Sequence, residues 1–107
     1  MRFELWSNRD ISGALPEYVE RRLQFALDRF AAQIQRAEVR LVDVNGTRGG
    51  VDRRCRVDLA GRPSWRIHVE GSGATFEQAT DAAAARAARS VAHLLTRIAE
   101  TNREVAV

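Results

Sequence analysis

The side chains most often used in catalysis are few in this chain and stand apart from one another. Its two histidines, His68 and His93, fall in different predicted elements, and neither has a neighbour at metal-ligand or catalytic spacing. The one cysteine, Cys55, can form neither an internal disulfide nor a thiolate zinc site, and its place in an alternating segment predicts core packing. No serine-histidine-aspartate, zinc-protease, phosphate-loop or dinucleotide-binding pattern occurs. The sequence therefore predicts a protein that is not an enzyme, with no catalytic residues, metal or cofactor.

Arginine supplies every basic side chain of the chain. The sequence holds 17 arginines and no lysine against 14 acidic residues, for a formal net charge of +3. Guanidinium groups stay charged, form bidentate hydrogen bonds with phosphates and stack on bases, so they suit a nucleic-acid partner. A net charge of +3 is compatible with a nucleic-acid partner but does not establish one. The positions of the arginines are therefore the more informative evidence.

The arginines recur at helical spacing in two segments and cluster in a third. Three of them are seven residues apart, along or just beyond a predicted first helix: Arg22, Arg29 and Arg36. A predicted second helix carries a stripe at steps of three and four: Arg86, Arg89, His93 and Arg97. A predicted hairpin adds Arg48, Arg53, Arg54 and Arg56. Like charges at helical spacing repel, so a stripe is either a solvated face or a surface offered to a polyanion, and spacing alone does not choose.

The hydrophobic pattern predicts the elements that must position these arginines. Period-two alternation predicts strands at residues 2–7, 37–44, 54–59 and 65–70. Apolar residues three and four apart predict a helix from an N-cap at Ser12 to about Gln33. Thr75 with Gln78 forms a capping box that predicts a long second helix, and residues 102–107 are expected to form a frayed tail.

The order β-α-β-β-β-α predicts one α+β domain over residues 1–107. Both helices are expected to pack on one face of a four-stranded mixed sheet, with the first two strands parallel and the last three antiparallel. Trp6 and Trp65 are expected to pack in the core. No apolar run approaches the length of a membrane helix, and the start lacks the apolar region of a signal peptide. We therefore expect a cytoplasmic protein with no membrane partner.

Two segments resemble a known family. Residues 43–57, Asp-Val-Asn-Gly-Thr-Arg-Gly-Gly-Val-Asp-Arg-Arg-Cys-Arg-Val, resemble the hairpin of short HPF/RaiA-type proteins, the hibernation promoting factor and ribosome-associated inhibitor family. Residues 18–30 are similar to that family's first helix, and the predicted element order matches the family fold over about residues 2–98. Three features depart from the family: Phe25 stands where many relatives carry a basic residue, residues 76–81 match the family pattern loosely, and the C-terminal end lacks a basic tail.

The resemblance implies a ribosome-associated translation inhibitor or hibernation factor. Such a protein binds ribosomal RNA of the small ribosomal subunit, in the channel for messenger and transfer RNA, as a monomer with no small-molecule substrate. Carried over by position, arginines of both helices match basic residues of the family. Together with the hairpin arginines, the expected RNA-binding set is Arg22, Arg29, Arg86, Arg89, Arg97, Arg48, Arg53 and Arg54. The chain stops where long members add a dimerisation domain, so we expect that it cannot itself pair ribosomes.

Two other functions stay open on the sequence. A double-stranded RNA binder outside the ribosome shares the layout of sheet and helices, although the lysine cluster of that fold is absent and Phe76-Glu-Gln stands in its place. An HPF-like protein-interaction domain with lost or weak RNA affinity is favoured by the modest net charge and the non-basic tail. A continuous positive face would favour RNA, and a broken face with an apolar patch would favour a protein partner.

Overall fold

The chain folds in the predicted order β-α-β-β-β-α, and a computed structural model describes its residues 1–44 and 52–105. The strands are β1 (Arg2–Ser7), β2 (Ile34–Asp43), β3 (Arg53–Gly61) and β4 (Trp65–Gly73). Helix α1 spans Leu15–Leu27 and continues into a short 3₁₀ turn at Asp28–Phe30, and helix α2 spans Phe76–Val105.

The four strands form one mixed sheet in the order β1-β2-β3-β4. Strand β1 is parallel to β2, whereas β2 with β3 and β3 with β4 are antiparallel. Strands β1 and β4 therefore point the same way, and the helix that follows each of them returns across the sheet in a common direction. The result is the predicted α+β fold with two helices on one face of a mixed sheet.

The core lies between this face and the two helices. Alternate residues of the strands supply one side of it, fully buried: Ala37, Val39, Leu41, Cys55, Val57 and Leu59. The helices supply the other side: Val19, Leu23, Leu27, Ala79, Ala83, Ala84, Ala87 and Val91. Cys55 therefore packs in the core as predicted, and burial raises the pKa of its thiol to about 11.

The alanines of α2 allow this helix to lie very close to the sheet. A Cβ added to Gly71 of β4 would come 2.3 Å from the backbone nitrogen of Ala83 and 2.4 Å from the carbonyl oxygen of Ala79. These contacts are with helix backbone, which cannot swing aside, so only a glycine fits at this point of β4. The close approach fixes which sides of α2 remain exposed.

Both ends of α1 differ from the prediction. The N-cap is Ala14 and not Ser12, and no side chain of the described residues caps it. Gly13, between the two, has a φ of +67°, a left-handed backbone conformation that separates Ser12 from the helix. At the other end the helix stops at Leu27, but Phe30 in the 3₁₀ turn still packs against the core, which is why the apolar spacing extended the predicted helix to Gln33.

Helix α2 begins as its capping box predicts. The Thr75 hydroxyl oxygen accepts a hydrogen bond from the Gln78 backbone N–H at 3.1 Å. The Gln78 side chain reaches one residue further than in a standard box and accepts from the Ala74 N–H at 3.0 Å. The helix continues to Val105, beyond the point near Asn102 where we predicted that the chain frays.

The sheet face away from the helices carries charged side chains that largely pair with one another. Glu38 contacts Arg36 at 3.1 Å and Arg40 at 3.5 Å, and His68 contacts Asp58 at 2.9 Å. We call this surface the open sheet face. Helices of the described ranges are all too short or too polar to cross a membrane.

The two tryptophans lie in different surroundings. Trp65 is 8% exposed, and its indole N–H donates to the Arg62 carbonyl at 3.0 Å, so its predicted core packing is confirmed. The corresponding prediction for Trp6 is wrong. Trp6 lies on the open sheet face, 54% exposed, with the Arg40 guanidinium 5.7 Å from its ring centroid.

Candidate nucleic-acid interface

Helix α1 and the turn that follows it carry most of their acidic and basic side chains on different sides. The side away from α2 carries exposed acidic residues at helical spacing, with Arg21 beside the first of them: Glu17, Glu20 and Asp28. The side toward α2 carries Tyr18, Arg22, Phe25 and Arg29 at steps of four, three and four. The side of α1 that meets α2 is therefore basic and aromatic, with no acidic residue of its own.

Arg22 is committed to a contact between the two helices. Its Nε lies 3.2 Å from Oδ1 of Asp81 on α2, and the Tyr18 hydroxyl donates to the same oxygen at 2.6 Å. This hydrogen bond to a carboxylate raises the pKa of Tyr18, since loss of the phenolic proton would break it. Tyr18, Arg22 and Asp81 are all partly exposed. Their hydrogen bonds therefore connect α1 with α2 and remain accessible to water.

Arg29 and Phe25 are the two residues of this side that reach furthest into solvent. Arg29 is exposed, and its guanidinium lies 4.6 Å from the ring centroid of Phe30, which holds it near the surface of the turn. Phe25 is 81% exposed. Arg29 has no carboxylate partner within residues 1–44 and 52–105, so it can bind an anion, with an uncovered aromatic ring one turn before it.

The predicted stripe of α2 is exposed along its whole length. Arg86, Arg89, His93 and Arg97 all face solvent. Within residues 1–44 and 52–105, neither Arg89 nor Arg97 has a carboxylate partner. The sequence carries no acidic residue between Asp81 and Glu100, so the middle of α2 is basic without compensation from its own helix.

The α2 stripe joins the hairpin arginines at Glu70 on the edge strand β4. The Arg86 guanidinium donates to the Glu70 carbonyl oxygen, while the Glu70 carboxylate lies 3.5 Å from Arg54 and 3.4 Å from Arg56. The sheet register explains the meeting, because Arg56 stands opposite Glu70. Arg54 and Arg86 line one shallow groove beside Gly71. Glu70 was not among the predicted residues, because its only signal is a cross-strand register that spacing along the chain does not reveal.

The remaining predicted arginines do not all extend this surface. Arg53 points to the helix side of the sheet, where it lies 3.2 Å from the buried Asp43 carboxylate and 5.5 Å from the Phe76 ring centroid. Arg36 does not continue the α1 stripe, because it lies in β2 on the open sheet face and pairs with Glu38. Arg48 lies outside the described residues.

We use the name helical arginine surface for the exposed arginines of the two helical segments together with Arg54, which projects from β3 on the open sheet face and lines a groove with Arg86 at the β4 edge. Its members are Arg29, Arg86, Arg89, Arg97 and Arg54. They lie on three elements and share exposed or half-exposed guanidinium groups. Such groups can bind phosphates in pairs or singly, and the small side chains of α2 leave room for a ligand to approach the backbone. In the part of the chain that the structure describes, no three histidine, cysteine or carboxylate side chains are grouped to hold a metal ion.

A family profile described as sigma 54 modulation protein / S30EA ribosomal protein matches residues 6–99. The chain belongs to this family. All five members of the helical arginine surface of this S30EA family member lie within the matched range. None of the curated proteins is similar enough in sequence to count as a match.

Two solved structures share the fold of this S30EA family member. The N-terminal domain of Protein Y from Thermus thermophilus superposes with a TM-score of 0.68 and 24% identity, covering 88% of this chain and 99% of that one. A ribosomal subunit interface protein from Coxiella burnetii superposes with a TM-score of 0.72 and 15% identity, covering 90% of this chain and 99% of that one. At such identities the similarity establishes a common fold.

Proposed function

We propose that this S30EA family member is a cytoplasmic, monomeric translation inhibitor or hibernation factor that binds ribosomal RNA of the small subunit through its helical arginine surface. Membership of a family described by a ribosomal protein supports ribosome association. A solved structure of the same fold is described as a ribosomal subunit interface protein, which points the same way. Binding, rather than catalysis of a reaction on a small molecule, is the proposed activity.

One observation carries the proposal: the uncompensated stripe of α2 is continuous with a second basic cluster. Arg89 and Arg97 have no carboxylate partner among the described residues, and Arg86 meets Arg54 across the edge of β4. Charge–phosphate contacts supply most of the affinity of such surfaces and release counterions, so binding should weaken steeply as salt rises. The fixed spacing of the arginines on three elements then selects RNA by shape.

The predicted arginines divide into two roles under this proposal. Arg29, Arg86, Arg89, Arg97 and Arg54 contact RNA. Arg22 and Arg53 hold α1 and β3 in place through Asp81 and Asp43, since their guanidinium groups already have carboxylate partners. Arg48 belongs to the proposed set by its position in the hairpin.

The test is co-sedimentation with small ribosomal subunits at low and at high salt. We expect the wild-type protein to pellet at low salt and to be released at high salt. Arg86→Glu with Arg89→Glu should abolish pelleting and leave the circular dichroism spectrum unchanged, because both side chains are exposed.

The matched control is Arg2→Glu with Arg66→Glu, which makes the same change of net charge on the open sheet face. It should pellet like the wild type at moderate salt. An equal loss of pelleting in the two double variants would show that binding depends on net charge alone. It would contradict the assignment of the helical arginine surface as the RNA-binding site. Failure of the wild-type protein to pellet at low salt would overturn the proposed function.

A further inference from the structure

We propose that Phe25 is a stacking platform for an unpaired nucleobase of the bound RNA. The inference rests on the proposed function and adds to it a second recognition chemistry. Arginines that contact phosphates recognise the charge and shape of the RNA backbone, whereas an aromatic ring recognises an exposed base by stacking on it. A protein with both would prefer single-stranded or bulged RNA to a continuous duplex.

The exposure of Phe25 is the first observation. At 81% it is the most exposed large apolar side chain among the described residues, ahead of Trp6 at 54% and Val44 at 48%. The ring of Trp6 lies under the Arg40 guanidinium, while no such cover is found for Phe25 in residues 1–44 and 52–105. An apolar ring left in water on a stable helix gains free energy when a flat partner covers it.

The surroundings of Phe25 are the second observation. It lies between Arg22 and Arg29 on the side of α1 that faces α2, and neighbours three or four residues apart on a helix are within about 6 Å of each other. The facing side of α2 carries small, half-buried side chains: Ala85, Ala88 and Ala92. Phe25 therefore stands uncovered on α1, with Arg22 and Arg29 one turn away on either side and only small side chains on the facing side of α2.

Charge then decides which flat partner fits. Asp81 of α2 is already bound by Arg22 and Tyr18. Asp28 lies three residues after Phe25, but Arg21, Arg22 and Arg29 also lie within one turn of the ring, so its immediate surroundings are net positive. This positive charge would repel a basic peptide. A nucleotide fits both features, because its base can cover the ring while a neighbouring phosphate reaches Arg29.

The experiment measures binding of two probes with the same number of phosphates: a short oligoadenylate and the same strand with abasic residues. We expect the wild-type protein to bind the strand with bases about tenfold more tightly. Phe25→Ala should lose that preference while the slope of log affinity against log salt stays unchanged, because no phosphate contact is removed. Phe25→Trp should retain it, and Trp6→Ala, an aromatic deletion on the open sheet face, should leave it unchanged.

The variant Phe25→Leu distinguishes stacking on a nucleobase from contact with an apolar protein partner. Leucine keeps the apolar volume but has no ring face, so it should behave like alanine towards the oligoadenylate and should also weaken pelleting with small subunits. Wild-type pelleting by Phe25→Leu together with weak pelleting by Phe25→Ala would overturn stacking in favour of a protein contact. An equal affinity of the wild type for the two strands would overturn the inference as well. Neither result touches the proposed function, which fails only if the wild type does not bind small subunits.

Discussion

Arg22 and Arg29 are equivalent by spacing and differ in what they contact. Arg22 is bound to Asp81 between the helices, whereas Arg29 lies over the Phe30 ring and faces solvent. We expect Arg22→Ala to lower the free energy of unfolding by about 1 kcal/mol, because it removes a half-exposed ion pair between two helices. Arg29→Ala should change it by less than about 0.5 kcal/mol. Urea denaturation of both variants measures the difference.

Ribosome binding should respond in the opposite order. Arg29→Ala should weaken co-sedimentation with small subunits more than Arg22→Ala does, once both proteins are shown to be folded. A larger binding defect in Arg22→Ala with unchanged stability would mean that Arg22 leaves Asp81 to contact RNA.

The thiol of Cys55 predicts a pH dependence of stability. Burial raises its pKa from 9.0 to about 11, so the folded state holds the proton more tightly than the unfolded state does. This contribution is fully present below pH 9 and is lost as the pH rises from 9 to 11. We expect the wild type to lose about 1–3 kcal/mol more than Cys55→Ala over that interval.

Urea denaturation of the two proteins at pH 8, 9, 10 and 11 checks this difference, and groups such as Tyr18 that titrate in both proteins cancel. A gap between wild type and variant that stays constant up to pH 11 would contradict the expectation. The thiol should also react with a disulfide reagent only after unfolding, since it is fully buried.

At the scale of single residues, the sequence predicted whether a side chain is buried or exposed better than it predicted which residue the side chain contacts. Alternation placed Cys55 in the core, and it equally placed Trp6 on the side of β1 that carries Arg2 and Glu4. The prediction for Trp6 is wrong because the alternation, and not the size of the ring, decides which face of β1 the side chain occupies. Contacts such as Arg22 with Asp81 depend on how two helices pack, which no local pattern encodes.

At the scale of elements, the contact of α2 with β4 is the most demanding. Gly71→Ala should destabilise the protein by about 1–3 kcal/mol or more, because the new Cβ would lie against the backbone of Ala79 and Ala83. Ser72→Ala, one residue further and exposed on the open sheet face, is the matched control and should change stability by less than about 0.5 kcal/mol. Thermal denaturation of the two variants measures the effect, and equal melting temperatures would show that α2 can move away from the sheet at little cost.

The order and type of the elements could be predicted from the sequence, and their ends could not. Hydrophobic periodicity reports which residues face the core, and Phe30 faces the core from a 3₁₀ turn as it would from a helix. The start of α1 was misplaced for a similar reason: Ser12 is a good cap by type, but the left-handed Gly13 turns the chain before the helix begins. The capping box of α2 was predictable because Thr75 and Gln78 act within one turn.

At the scale of the whole molecule, Glu70 is the acidic group inside an otherwise basic region. Its carboxylate competes with phosphates for Arg54 and Arg56. We therefore expect Glu70→Gln to bind small subunits a few-fold more tightly at low salt and with a steeper salt dependence, as two arginines become available. Glu38→Gln, which removes a carboxylate from the same open sheet face but from β2 and away from α2, is the control and should leave binding unchanged. Weaker binding by Glu70→Gln would mean that its carboxylate is needed to hold the two arginines in place.

The pairing of charges on the open sheet face has a consequence for how the molecule meets a partner. Carboxylates and guanidinium groups alternate there, so their fields largely cancel a short distance from the surface. The arginines in the middle of α2 have no acidic residue of their own helix among them, so their field extends further into solvent. An approaching polyanion would therefore be drawn toward α2 before any contact forms, and productive collisions would become more frequent.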